Sequence, residues 1–255
     1  FNKNFNKPVS FYRYDPASAI YTLVGSYYTK ANLSQGYSKS SKFTLQYSLN
    51  YDNTFNDVHH ITALALYEAI DYKGESLSAS RKGFLTPAID QMFAGSTVAM
   101  NNNGSANEMG RKSYVGRLNY SFKKKYLIES IIRADASAKF PSNKRWGYFP
   151  SVSLGWVITQ EEFMKRFSKL DNLKLRASYG QSGNDNVGNF QYLSGYALKD
   201  TYLIGSGPQQ GLVSTNLANP NLTWEKIKVS NIGVDFSLFN HKLYGDADVF
   251  YRERL

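Results

Sequence analysis

In the run KFTLQYSLNY, Phe43, Leu45, Tyr47, Leu49 and Tyr51 alternate with Thr44, Gln46, Ser48 and Asn50. A period of two places the two sets on opposite faces of an extended strand. The pattern returns in SYVGRLNYSF, where Tyr114, Gly116, Leu118, Tyr120 and Phe122 oppose Val115, Arg117, Asn119 and Ser121. It returns again in YLIESIIRAD, SVSLGWVI, LKLRASYG, SNIGVDFSLF and LYGDADVFYR. A weaker version runs through Ala19–Tyr28. HITALALYEAI, within His59–Tyr72, is open to a helical reading, but its place between strands favours strand. The chain is therefore all-β, with one apolar, aromatic face and one polar face.

The connections also alternate. Short ones follow Asn50, Phe122, Ile158 and Leu238; long ones follow Tyr28, Tyr72, Asp135 and Gly180. Short turns on one rim and long loops on the other are the pattern of an outer-membrane barrel. Lys73–Lys112 reads as a long connection, with MNNNGSANEMG as exposed loop and RKGFLTPAIDQMFAG as a short helix or hairpin. TQEEFMKRFSKLDN reads as a short helix capped by Thr159, with Glu161 and Glu162 in its first turn. QSGNDNVGN is a turn cluster, and YLSGYALKDTYLIGSG suggests local strands. Ile227 and Val229 lie out of phase with Ile232–Leu238, which predicts a bulge near Ser230.

Composition narrows the chemistry. The 255 residues include 20 Tyr, 16 Phe and 3 Trp, and such rings suit a lipid headgroup interface. A soluble β-sandwich with aromatic cores is the alternative. No apolar run approaches the ~20 residues a membrane helix requires, although a barrel strand needs only ~10. The opening FNKNFNKPVSFYRYDP carries no apolar leader segment, so a leader has been removed or the numbering starts inside a longer protein. With no cysteine there is neither a disulfide framework nor thiolate chemistry. The net charge of +10 is scattered rather than gathered into a stripe, which argues against nucleic acid. The adjacent His59 and His60 point to opposite strand faces and make a poor metal pair. No Walker loop, dinucleotide fingerprint or nucleophile elbow is present, and no pair of carboxylates is placed for glycoside hydrolysis, so no cofactor and no catalytic residue are expected.

The ordered blocks YVGRLNYSFKKKYLIESIIRADASAKF, RWGYFPSVSLGW, EEFMK, LDNLKLRASYGQSGN and NPNLTWEK…NIGVDFSLF resemble the SusC/RagA family, the TonB-dependent outer-membrane transporters of Bacteroidetes. The match runs from about Tyr114 to Leu255. The family pattern RxDGSSxF stands here as Arg133, Asp135, Ala136, Ser137, Ala138 and Phe140, with alanine replacing the glycine and one serine. The resemblance implies a multi-pass transmembrane antiparallel β-barrel in the outer membrane of a Gram-negative bacterium. On that expectation residues 1–255 are part of the barrel domain and contribute about ten strands of about 22, with long extracellular loops and short periplasmic turns. The plug domain and TonB box would lie outside this chain. The implied partners are a SusD-like surface lipoprotein, the TonB–ExbB–ExbD complex, outer-membrane lipid and an oligosaccharide or peptide substrate.

The implied function is TonB-dependent import of a large nutrient, foremost an oligosaccharide. A siderophore or cobalamin receptor and a passive porin are the alternatives. Arg117, Glu129, Arg133, Asp135, Lys174, Arg176, Asp235, Asp246 and Asp248 are expected to face the lumen, where the alternative is the solvated face of a soluble sheet. Tyr192, Tyr196 and Tyr202 are loop candidates for stacking on substrate rings; girdle or loop packing is the commoner role of such residues.

Overall fold

The computed structural model describes every residue except Tyr28, Thr29, Ser168 and Ser206, and omits the side chains of Tyr27, Asp200, Thr201, Tyr202 and Ile204. Thirteen strands appear among the described residues. They are β1 (Asn2–Asn6), β2 (Val9–Asp15), β3 (Ile20–Tyr27), β4 (Asn32–Phe55), β5 (His59–Lys82), β6 (Met100–Phe122), β7 (Tyr126–Ser137), β8 (Trp146–Val157), β9 (Leu170–Asn184), β10 (Tyr196–Ile204), β11 (Gly207–Ser214), β12 (Glu225–Leu238) and β13 (Leu243–Arg254). Nine form one sheet in the order β1-β4-β5-β6-β7-β8-β9-β12-β13. The hairpins β2–β3 and β10–β11 form separate two-stranded sheets.

This corrects the expected fold class. The sheet is open, with β1 and β13 at its edges, and no sheet closes into a barrel among the described residues. Closure requires the first and last strands to pair, whereas β1 pairs with β4 and β13 with β12. Alternation reveals which side chains share a face but carries no signal for closure. No helix among the described residues is long and apolar enough to cross a membrane.

Other expectations are corrected in detail. Most of Lys73–Lys112 is strand rather than loop, because β5 runs to Lys82 and β6 begins at Met100. A ladder is held by its backbone, so the polar run MNNNGSANEMG joins it despite its composition. Within the remaining connection only Met92–Ala94 forms a 3-10 turn. The helix expected after Thr159 is two 3-10 turns, Ile158–Gln160 and Glu162–Met164, neither with a side-chain cap. Thr159 Oγ1 instead accepts a hydrogen bond from the Leu173 amide (3.3 Å). Pairing is continuous through Ser230, and the only shift in β12 lies at Ser237/Leu238. Ile227 and Val229 therefore share the face of Asn231 and Asp235, and no bulge intervenes.

Two compact units are distinguishable. The first comprises Phe1–Lys42 and Tyr72–Glu108. Within it, Leu33 and Ala31 are buried and Phe5 meets Phe84 edge-on at 5.2 Å. The second comprises Phe43–Asp71 and Met109–Leu255. Its core is the cluster Phe140, Phe149 and Trp224, flanked by Val187 and Leu222.

The turns at the ends of β4 and β6 are tight. Asn56 and Asp57, and likewise Lys123 and Lys124, take positive φ, and the Val58 and Lys125 amides bond back to the Phe55 and Phe122 carbonyls. This is the type I′ geometry whose twist suits a hairpin. Asn and Asp tolerate it, whereas lysine is strained there. Lys124→Gly is expected to raise stability by about 1 kcal/mol, seen as a higher midpoint of thermal unfolding. A lower temperature would show that Lys124 makes compensating contacts.

Candidate functional site

The register of β6–β9, β12 and β13 sorts side chains into rows that run across the strands. One face carries Leu118, Val152, Tyr179 and Tyr251 in one row and Tyr120, Ile128, Leu154, Ala177, Ile232 and Val249 in the next. Large apolar side chains on it, among them Leu118, Leu154 and Val249, stay about half exposed or more. Aromatic rows mark the two ends of this face. One runs Tyr47–Tyr67–Tyr114–Trp146, with ring centroids 6.4, 5.1 and 5.9 Å apart. The Tyr114–Trp146 contact passes over β7, where Ala134 and Ala136 leave room. The other row contains His59, Phe122, Tyr126 and Trp156. On β6 the rows are separated by the eight steps from Tyr114 to Phe122, about 27 Å of strand.

At the second row Glu161 gathers the polar tips. Its carboxylate accepts from Tyr126 Oη (2.7 Å), Trp156 Nε1 (3.2 Å) and Lys125 Nζ (3.1 Å). These hydrogen bonds, that of Tyr126 first, hold its pKa below the ordinary glutamate value. The histidines diverge as expected: His59 Nδ1 meets Tyr120 Oη (2.8 Å), while His60 meets Thr54 (3.0 Å).

The opposite face carries Arg117, Glu129, Arg133, Asp135, Lys174, Arg176, Asp235, Asp246 and Asp248, which the register brings onto one side of the sheet. Three of them, Glu129, Lys174 and Arg176, line a cavity of about 340 Å³ together with Asn119, Ser153 and Ser178. Arg176 bridges Asp235 (2.7 Å) and Asp248 (3.0 Å). To reach Asp248 it crosses β12 over Gly233, where a Cβ would sit 2.3 Å from Asp248 Oδ1 and 3.0 Å from Arg176 Nη2. Asp235 and Asp246 are directly opposed in register, an unfavourable pair that the guanidinium relieves. Arg176→Met is expected to be mildly destabilising, since these groups stay a third exposed, and Asp246→Asn to restore part of the loss. A double-mutant cycle in thermal denaturation checks this; strictly additive effects would show that the carboxylates do not repel through this site.

A second polar cluster lies beyond the aromatic core. Arg133 Nε donates to Asp135 (2.7 Å), and Arg133 Nη2 to Ser113 Oγ (3.3 Å). Asp135, Ser113 and Ser137 are buried. Arg111 Nη2 reaches Asp185 Oδ1 at 2.6 Å, and Lys139 Nζ donates to the Asp185 carbonyl (3.1 Å). Burial pushes the Asp185 pKa up, but hydrogen bonds from Arg111 and Ser137 and the charges of Arg111 and Lys139 outweigh it, leaving it below the ordinary aspartate value. Sequence reasoning missed Arg111, Ser137, Lys139 and Asp185 as a group. Asp185 falls in QSGNDNVGN, a turn cluster by composition, one residue past the family block that ends at Asn184, so no signal in the sequence singled it out.

Of the three loop tyrosines, Tyr192 is half-buried in a turn and Tyr196 opens β10 at 67% exposure. Tyr202 lies on β10, but its side chain falls outside the described residues. Among the described residues no cluster of three or more potential metal ligands occurs.

The family description "TonB dependent receptor-like, beta-barrel" matches residues 1–254. The chain belongs to the SusC/RagA family of TonB-dependent outer-membrane transporters. It is 34% identical over 204 residues to TonB-dependent receptor P39 of Formosa agariphila, covering 80% of this chain and 19% of that protein. It is 39% identical over 151 residues to TonB-dependent receptor SusC of Bacteroides thetaiotaomicron, covering 55% of this chain and 14% of that protein. Among solved structures, that of the RagAB peptide transporter superposes with a TM-score of 0.81 at 27% identity, over 88% of this chain and 25% of that one. In the "open-open" state of the RagAB peptide importer the TM-score is 0.70. The chain thus spans between about a seventh and a fifth of the length of the curated relatives it matches. In this family member the block from Arg133 to Phe140 contributes Asp135 and Ser137 to the buried polar cluster and Phe140 to the aromatic core.

Proposed function

We propose that the chain forms wall and pathway lining of a non-catalytic, TonB-dependent importer of a large nutrient, foremost an oligosaccharide, in the outer membrane. The observation that carries this is the two-faced sheet. Its apolar face is bounded by aromatic rows about 27 Å apart along the strand, close to the ~25 Å apolar band of outer-membrane strands. Its other face presents charged and hydroxyl groups around a cavity holding Glu129, Lys174 and Arg176. That donor and acceptor set suits the hydroxyls of a glycan. It equally suits the amides and termini of a peptide, the cargo named for the RagAB transporter, so a peptide is the second reading. The plug domain, the TonB box, a SusD-like lipoprotein and the TonB–ExbB–ExbD complex complete the working assembly on this reading, and Tyr192, Tyr196 and Tyr202 are secondary candidates for substrate contact.

The test is growth of a deletion strain, lacking the protein that carries this chain, on single oligosaccharides or oligopeptides, with a TonB-deficient strain beside it. Loss of growth on one glycan class in both strains supports the leading reading, and loss on peptides the second. A defect relieved by added iron or cobalamin would replace both with a chelate receptor. Uptake that persists without TonB would indicate a passive pore. The protein must also fractionate with outer membranes and depend on detergent; recovery in the soluble fraction would sink the membrane reading.

A further inference from the structure

Two adjoining cavities on the apolar face differ in chemistry. The larger, about 530 Å³, is lined by Tyr47, Tyr67, Tyr114, Tyr148 and Ile132, with Gly116 as its floor. Adding a Cβ at Gly116 would place it 3.4 Å from Ile132, so the glycine keeps the groove deep. The second, about 400 Å³, is lined by Lys112, Arg145 and Trp146 and floored by Ala136 and Ala138. They are continuous by register: Tyr114, Ala134 and Tyr148 form one row, and Lys112, Ala136 and Trp146 form the next on the same face. Adjacent same-face rows lie about 7 Å apart. Lys112 is exposed, and neither Lys112 nor Arg145 makes an ion pair among the described residues. Asp71 is the one carboxylate lining the cavity. Lys112 thus stands one row beyond Tyr114 and level with Trp146, away from the apolar band, with Arg145 lining the same cavity and an aromatic groove below.

We propose that this face holds a phosphate-bearing lipid, its phosphate against Lys112 and Arg145 and an acyl chain in the groove over Gly116. The proposal rests on the reading of this face as lipid-facing. Charge complementarity selects the occupant, since two unpaired cations at the aromatic boundary fit an anionic headgroup and an apolar protein partner would leave them unmatched. Alanines at 134, 136 and 138 keep β7 and the segment after it low, so the headgroup has room beside Trp146.

The experiment is native mass spectrometry of the detergent-purified outer-membrane protein carrying this chain, delipidated and offered phosphorylated lipid A or its enzymatically dephosphorylated counterpart. The wild type is expected to retain the phosphorylated lipid about tenfold better. Lys112→Gln is expected to reduce that preference about fivefold and Lys112→Gln/Arg145→Gln to abolish it. Lys124→Gln, at the opposite end of β6, leaves it unchanged. Arg145 Nε also holds the Phe140 carbonyl (3.4 Å), so the exposed Lys112 decides the matter. Equal retention of both lipids overturns the proposal, as does displacement of the bound lipid by millimolar inorganic phosphate. If the protein is recovered without detergent, the membrane reading itself has failed; if it needs detergent yet shows no phosphate preference, only this inference has.

Discussion

Replacing Phe140 by alanine is expected to cost about 3–5 kcal/mol, the largest effect of any single substitution considered. Phe140 is fully buried, with its ring 5.3 Å from Trp224, which also meets Phe149 at 5.3 Å. Little can collapse into the space, because the neighbours are themselves held. Trp224 Nε1 is tied to the Arg145 carbonyl (2.9 Å) and Thr223 Oγ1 to that of Lys144 (3.3 Å). The loss is expected to be local. Hydrogen exchange should accelerate in residues 138–145 and 219–224 while the centres of β7 and β8 keep their protection. Unchanged exchange in both segments would show that the ring fills space without fastening them.

The second large effect is at the Arg111–Asp185 pair. Arg111→Ala leaves a buried carboxylate without its main partner and is expected to cost about 3 kcal/mol, at the lower end for a broken buried pair because a third of Arg111 stays exposed. Asp185 also predicts a pH response. Its folded pKa lies below the unfolded value of about 3.9. The stabilisation is therefore complete above that value and is lost as pH falls through the folded pKa. Asp185→Asn should flatten the acid limb of a stability–pH profile while lowering the plateau. An acid limb of unchanged steepness would assign the response to other carboxylates.

What the sequence revealed, and what it hid, follows from what alternation encodes. The faces of Tyr114–Phe122, Tyr126–Ile132 and Leu173–Tyr179 were legible because period two is a local property and one face is mostly apolar. The polar row from Arg117 to Asp248 was legible for the same reason, although its pairing was not: Arg176 meets Asp248 across an intervening strand, over a glycine that carries no charge signal. Strand length was hidden at Met100–Glu108, where backbone pairing holds residues that look like loop. Closure was hidden altogether, since a face pattern is identical in an open and a closed sheet. The cluster of Arg111 and Asp185 joins positions 74 apart in sequence, and nothing in either neighbourhood announces the other.

The three tryptophans sit in three distinct settings of the second unit. Trp224 is buried in the aromatic core, Trp146 is 41% exposed beside Tyr114, and Trp156 is bound through its indole nitrogen to Glu161. Intrinsic fluorescence is consequently a built-in depth gauge. Variants retaining one tryptophan at a time would emit at separate wavelengths, Trp224 bluest, and on the proposed lipid-facing reading brominated acyl chains would quench Trp146 and Trp156 while sparing Trp224. Insertion, core formation and turn closure could then be timed separately in one refolding reaction.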